Sequence, residues 1–116
     1  MSRLPAGAVF VLTDNSLFGL ASEIIRRALD ARVPTVGNFG SPFAVSGGLY
    51  AYGRDSQEAF YGVARLLKRI LDGAAPADIP FEQPTKFNLF INLKTARSLS
   101  IEIPPSLLAT ANEVIE

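Results

Sequence analysis

Residues 8–19 read Ala-Val-Phe-Val-Leu-Thr-Asp-Asn-Ser-Leu-Phe-Gly. The first five are a continuous apolar run with two valines and a phenylalanine. That predicts a short strand over 8–12, buried on both faces as in a parallel sheet. Polar Thr13 to Ser16 follow. Leu17, Leu20, Ala21, Ile24, Ile25, Ala28 and Leu29 then recur at helical spacing, with Glu23, Arg26, Arg27 and Asp30 on the complementary face. Strand, polar turn, amphipathic helix is the opening of a β-α unit, and it sets the expected class as α/β.

The same grammar continues outward. Pro34 marks the helix exit, and Val33 to Gly37 is short, β-branched and strand-like. Asn38 to Ser46 reads as a loop with room for one helical turn. Gly47-Gly48 leads into a third strand, Leu49 to Tyr52, which Gly53 is expected to break. Asp55 then caps a helix, with Glu58 three residues on in capping-box spacing. Phe60, Val63, Ala64, Leu67, Ile70 and Leu71 form its apolar stripe, and Gly73 falls where a left-handed C-terminal residue belongs. Ala74 to Lys86 is a linker kept extended by Pro76, Pro80 and Pro84. Phe87 to Leu93 is a fourth strand, Lys94 to Leu99 a short helix, and Ile101 to Ile103 extended. Pro104-Pro105-Ser106 opens a last helix over 107–115, with Ser106 as its cap. Strands alternating with helices predict a three-layer, mostly parallel sheet of about four strands with right-handed crossovers.

Composition narrows the function. The chain has 116 residues, one domain or part of one, with 11 Lys plus Arg against 11 Asp plus Glu. No basic field is present to hold a nucleic-acid backbone. Cysteine and histidine are both absent, so disulfides, zinc sites and His-based acid–base chemistry drop out. The acidic residues are scattered without metal-ligand spacing, so no cofactor or metal is expected. Neither a GxGxxG turn nor a phosphate loop occurs, and the nucleophile elbow of hydrolases is missing. No apolar run approaches a membrane span. The N-terminal residues hold no export signal, which as written predicts a cytoplasmic chain.

What is left is a binding fold. Parallel β-α units bring the carboxyl ends of their strands to one edge, where ligands of open α/β sheets bind. Three loops should meet there: Thr13-Asp14-Asn15-Ser16, Asn38-Phe39-Gly40-Ser41 and Tyr52-Gly53-Arg54-Asp55. They offer hydroxyls, amides, a carboxylate, a guanidinium and aromatic rings. Two helix N-termini pointing the same way favour an anionic group such as a solute carboxylate. The competing reading is structural. Asp14, Asn15 or Ser16 is a good N-cap, Arg54-Asp55 a solvated turn plus a cap, and Tyr50 and Tyr52 sheet packing.

Several blocks occur here in order: Val-Phe-Val-Leu-Thr-Asp-Asn, Gly-Gly-Leu-x-x-Tyr-Gly, Pro-Thr-Lys-Phe-x-Leu-x-Ile-Asn-Leu-Lys-Thr-Ala, and Ile-x-Ile-Pro-Pro-Ser-Leu-Leu-Ala-x-Ala-x-Glu-Val-Ile. Together they strongly resemble the C-terminal part of ABC-transporter substrate-binding proteins, a family that includes tryptophan/tyrosine-binding members. The resemblance implies a type I periplasmic binding protein-like fold, two α/β lobes closing on a solute. Residues 1–73 would belong to the second lobe, 74–86 to the hinge crossing and 87–116 to the return into the first lobe. It implies no catalysis, a periplasmic location, a small amino-acid-like solute and an ABC permease as partner. Position by position it points to Thr13, Asp14, Asn15, Tyr52 and Gly53 as solute contacts, with Asn38 and Arg54 beside them. One departure is Ser98-Leu99-Ser100-Ile101 where the family has Ala-Leu-Gly-Leu. A serine in that glycine's left-handed position costs roughly 1 kcal/mol. Two other classes stay open: a non-transporting remnant held together as a homodimer through the surface a missing lobe would cover, and a flavodoxin-like small enzyme or nucleotide binder.

Overall fold

Strand β1 (Val9–Val11) pairs in parallel with β2 (Thr35–Gly37), and β2 pairs in parallel with β3 (Tyr50–Arg54). The structure is a computed structural model that describes residues 7–12, 14–38, 40–83 and 85–116. Beyond β3 the sheet continues through β4 (Phe87–Asn92) to β5 (Glu113–Ile115), in the order β1-β2-β3-β4-β5. Backbone bonds from Asn92 N to Leu49 O and from Asp55 N to Lys86 O, each 3.0 Å, run up one strand and down the other. That makes β4 antiparallel to β3. Strand β5 is again parallel to β4. The sheet is thus mixed and mostly parallel, flanked by helices, as the α/β expectation required.

The chain divides into two units. One holds the residues up to Gly53 together with Asn88–Glu116, and the other is Arg54–Phe87. The sequence reading set its boundaries elsewhere, at 73 and 87, with 87–116 leaving for another lobe. In the structure β4 is a neighbour of β3 in one sheet.

In the first unit, helix α1 (Asn15–Asp30) lays Ala21 and Ile25 on Val11, Ala51 and Phe90 of the sheet. Burying side chains of this size contributes about 1.5–3 kcal/mol each for the larger ones. Its outer face carries an exposed ion cluster: Arg26 reaches Glu23 at 2.8 Å and Asp30 at 3.0 Å, and Arg27 reaches Glu23 at 2.6 Å. The helix stops in a Schellman turn. Arg32 N–H donates to Leu29 O at 2.9 Å and Val33 N–H to Ala28 O at 2.8 Å, with Arg32 left-handed at φ 57.

Helix α2 (Ser41–Val45) is the single turn expected in the second loop. Its Phe43 is the deepest aromatic among the described residues, 2% exposed. A Cβ at Gly48 would sit 2.2 Å from the Phe43 ring, so residue 48 has to be glycine for space. Its neighbour Gly47 has a different reason, φ +105.

Helix α4 (Leu93–Leu99) starts on Asn92 and ends with Ser100 at φ 58, ψ 38. The family's glycine position is therefore occupied by a serine in the left-handed conformation, as the resemblance implied.

Four expectations need correction. Strand β1 buries one face only, because Val11 is buried while Phe10 on the other face is 57% exposed. It is an edge strand, and α1 covers only the side Val11 faces. Gly53 does not break β3 but lies buried within it. Helix α5 (Pro105–Leu108) holds Ser106 inside it, and the proline-fixed Pro104 is its N-cap. The predicted helix over 107–115 ends early because Asn112 docks on β4. Its N–H donates to Leu89 O and its Oδ1 accepts from Leu89 N–H, both at 2.8 Å, which draws Glu113–Ile115 into the sheet.

The second unit is built on helix α3 (Ser56–Leu71). Asp55 caps it as expected, accepting from Gln57 N–H at 2.9 Å and Glu58 N–H at 3.1 Å. The helix closes in a Schellman turn through Gly73, at φ +105, and Ala74 N–H, which donates to Arg69 O at 3.0 Å. A 3₁₀ turn at Pro76–Asp78 interrupts the extended linker. Lys86 ties the far end back, its Nζ 3.2 Å from Asp55 Oδ2 and its N–H 3.1 Å from Glu58 Oε2.

Candidate functional site at the carboxyl edge of the parallel strands

The register fixes what meets at this edge. Val11 pairs with Gly37 and Gly37 with Ala51, so the last residues of β1 and β2 stand abreast of the second residue of β3. Asp14 and Asn15 lie just beyond β1, Asn38 just beyond β2, and Tyr52 and Gly53 continue β3 past the paired row. Thr13 and Phe39 fall outside the described residues. Arg54 is the end of β3 but belongs to the second unit.

Asp14 is exposed and extended, and its Oδ1 accepts from Ser16 N–H at 2.8 Å. That hydrogen bond, with a further one to the Ser16 side chain, holds its carboxyl below the ordinary carboxylate range. Asp14 is therefore the cap of α1 and is ionised at neutral pH. Asn15, the first helical residue, is exposed beside it. The cap reading is thus correct for Asp14, and it changes the expected charge preference of the edge. The positive end of α1 is already taken by the Asp14 carboxylate, and that of α3 by Asp55. Each cap accepts from one or two of the first-turn amides of its own helix. The described edge instead presents a carboxylate, which suits a cationic group.

Asn38 and Gly53 are brought together most closely. A Cβ built on Gly53 would lie 2.6 Å from the Asn38 carbonyl oxygen. Any side chain at 53 has to push the Asn38 backbone away, so the bare glycine sets how closely β3 approaches the loop after β2. Asn38 itself is exposed, and Tyr52 is 50% exposed on the face opposite Ala51.

Two groups at the opposite edge, beside the start of β3, were not singled out in the sequence. Asn92 and Thr95 are buried; Asn92 donates to Ala44 O in α2 and Thr95 to Gly47 O just beyond it. The Asn-x-x-Thr spacing in Asn92-Leu93-Lys94-Thr95 is a cap signature that marks a local bond, Thr95 N–H to Asn92 Oδ1 at 2.9 Å. Nothing local in the sequence marks the long-range pair.

Within the second unit, a cleft of about 310 Å³ is lined by Arg54, Glu58, Gly62, Arg65, Glu82 and Gln83 among others. Arg65 and Glu82 form an ion pair in its lining. Among the described residues no group of three His, Cys, Asp or Glu side chains is placed to hold a metal ion. No described helix is long and apolar enough to cross a membrane.

Comparison with known proteins identifies the family and agrees with the fold. Residues 5–115 match the model of the ABC transporter substrate binding protein family. An uncharacterized protein from Rickettsia prowazekii (strain Madrid E) is 29% identical over 85 residues, 73% of this chain and 28% of that protein. A conserved domain protein from Vibrio cholerae superposes with TM-score 0.85 at 25% identity, covering 92% of this chain and 36% of that one. An ABC domain from Streptococcus pneumonia in complex with L-Trp gives TM-score 0.85 at 27% identity, over 93% and 36% of the two chains. A ligand-free, open substrate binding protein with adhesive properties from Clostridium difficile, 19% identical at TM-score 0.65 over 93% and 36%, shares the fold. The chain thus spans about a third of the length of the relatives it matches. With nearly every residue inside the family match, and the fold shared along the same length, the chain belongs to the ABC transporter substrate binding protein family.

Proposed function

We propose that this chain is a solute-binding component of an ABC importer, and that its solute is a small amino-acid-like molecule captured noncovalently at the carboxyl edge of β1–β3. The observation that carries the reading is the juxtaposition of Asp14, Asn38 and Gly53 beyond one row of paired strands, in a fold shared at TM-score 0.85 with a protein crystallised with L-Trp. In this reading the Asp14 carboxylate accepts from the solute ammonium. Asn15 and Asn38 supply amide hydrogen bonds, Tyr52 offers a ring, and Gly53 keeps Asn38 close. Thr13 and Arg54 join the site on the sequence resemblance. Closure of a second lobe over the solute is what a membrane permease would sense, and the place of action is the periplasm.

Titration calorimetry with L-Trp and other amino acids tests this. Binding by the folded chain, or by the chain joined to the rest of a family fold, is expected, with Asp14→Asn weakening it by about tenfold. Folded protein that gives no heat with any amino acid in either form sinks the proposal. A second reading, a non-transporting form that self-associates, is favoured by the exposed apolar residues of α3. A bare, tight dimer in native mass spectrometry is its signature.

A further inference from the structure

The head of α3 is a capping box with one arm redirected. In a closed box of this spacing, the side chain in Glu58's place returns to the backbone N–H of the cap residue. Asp55 does its part, its Oδ1 accepting from Gln57 N–H at 2.9 Å and Glu58 N–H at 3.1 Å. The reciprocal arm goes to Lys86 in two halves. Asp55 N–H donates to Lys86 O at 3.0 Å, and Glu58 Oε2 accepts from Lys86 N–H at 3.1 Å. Lys86 Nζ adds an ion pair at 3.2 Å to Asp55 Oδ2, the other oxygen of the capping carboxylate. A residue distant in sequence is thus inserted into a local motif.

Two arrangements of these groups leave the helix head satisfied. With Lys86 docked, its carbonyl takes the Asp55 N–H and its N–H occupies Glu58. With Lys86 withdrawn, Glu58 closes the box on Asp55 N–H, so the donor that withdrawal orphans finds a partner again. Lys86 is exposed, and its own backbone groups then go over to water. The side-chain ties that favour docking are weak. Both Lys86–Asp55 and the Arg65–Glu82 pair nearby place their cations in solvent, where salt screens them. Room for the exchange is present as well. A cleft of about 300 Å³ lies against these groups, lined by Asp55, Gln57, Glu58, Tyr61, Arg65 and Lys86. We infer that Asp55, Glu58 and Lys86 form a two-position clasp, in which Glu58 changes partner between Lys86 N–H and Asp55 N–H as the chain at Lys86 leaves and returns. The helix keeps its cap in both positions, so the end of the linker moves without unwinding α3. The clasp operates in this chain whatever the solute, and it does not rest on the solute reading.

Amide hydrogen exchange followed by NMR on the whole chain, corrected for intrinsic rates, tests this. Lys86→Pro is the release variant, because it has no N–H for Glu58 and no ammonium for Asp55. In it, Asp55 N–H should stay within about threefold of its wild-type protection, and adding Glu58→Ala should speed its exchange by about tenfold or more. The amides of residues 57 and 58, held by Asp55 Oδ1, should remain protected in Lys86→Pro. An Asp55 N–H that is already fast in Lys86→Pro overturns the inference, and so does one that the added Glu58→Ala leaves unmoved. Fast amides at 57 and 58 in Lys86→Pro overturn it too, since the helix head then unwinds on release. If Lys86→Pro does not fold, salt acting on the wild-type chain decides. Raising NaCl from about 20 mM to about 500 mM should speed Lys86 N–H exchange about three- to tenfold and leave Asp55 N–H within about twofold. Equal acceleration of the two amides, or none at either, is the result that refutes the clasp.

Discussion

The Asn92 side-chain amide donates to the Ala44 carbonyl oxygen at 2.8 Å while its own oxygen accepts from Thr95 N–H at 2.9 Å. Thr95 Oγ1 completes the tie by donating to Gly47 O at 2.8 Å. One buried Asn-Thr pair thus caps α4 and anchors the end of α2, far away in sequence. Asn92→Ala removes the cap and leaves a buried carbonyl without its donor, which should cost about 2–4 kcal/mol. Thr95→Val should cost about 1–2 kcal/mol. Urea midpoints at unchanged m-value measure both. An Asn92→Ala loss under half a kcal/mol would show the tie to be incidental.

Among the described residues two non-glycines sit left-handed, Arg32 at φ 57 and Ser100 at φ 58, each at the end of a helix. Ser100→Gly and Arg32→Gly should each raise stability by up to about 1 kcal/mol, because glycine reaches that conformation without a Cβ penalty. The gain is bounded by the extra freedom glycine has when unfolded. Destabilisation by both variants would mean the turns are held by side-chain contacts instead.

Glu23 receives hydrogen bonds from Arg26 and Arg27, which pull its pKa from 4.5 to about 2. A carboxyl with a folded pKa below its unfolded one stabilises the native state at pH above the unfolded value. That contribution is lost as pH falls from about 4.5 through about 2. Glu23→Gln should therefore flatten the acid limb of the Tm profile and change little at neutral pH. Since the cluster is exposed, high salt should shrink the difference. Identical acid limbs for both proteins would remove Glu23 from the account.

Gly53→Ala separates geometry from chemistry at the solute edge. Its Cβ would press on the Asn38 carbonyl at 2.6 Å, so the loop after β2 has to shift. Solute affinity should fall several-fold, whereas Asn15→Ala should lower affinity without moving any backbone. Asp14→Ala should lower both stability and affinity, because one carboxylate caps α1 and faces the edge. Calorimetry and thermal melts on the same samples check the pattern. Unchanged affinity in all three variants would move the solute elsewhere.

Much of this was legible in the sequence because the signals are local. Periodicity located α1 and α3, and Asp55 and Gly73 bracketed α3 by capping chemistry alone. The failures share one cause, pairing with distant residues. Glu113–Ile115 looked helical by composition and is a strand because Asn112 binds Leu89. Gly53 read as a breaker, since a glycine in a strand weakens it, but here Asn38 crowds the position and only glycine fits. Phe10 read as interior because its neighbours are apolar, but α1 covers only the opposite face of β1, the one Val11 lies on. At the carboxyl edge of β1–β3 the residue types were readable, but that Asp14 and not Asn15 or Ser16 caps α1 was not.

The antiparallel entry of β4 beside β3 has a kinetic consequence. The strands β1 to β3 are joined in sequence through α1 and α2, across residues 12–34 and 38–49, whereas β4 must find β3 across the longer 54–87 excursion. Closing a loop of roughly 30 residues costs about 3 kcal/mol of chain entropy, and halving it recovers only about 0.6. Refolding should therefore begin in the β1-α1-β2-α2-β3 segment, with β4, α4 and β5 docking later. Phe90 is then the last piece of its cluster to arrive, and trimming the linker between Pro76 and Lys86 should alter the folding rate far less than loosening Asn92 alters the rate of unfolding.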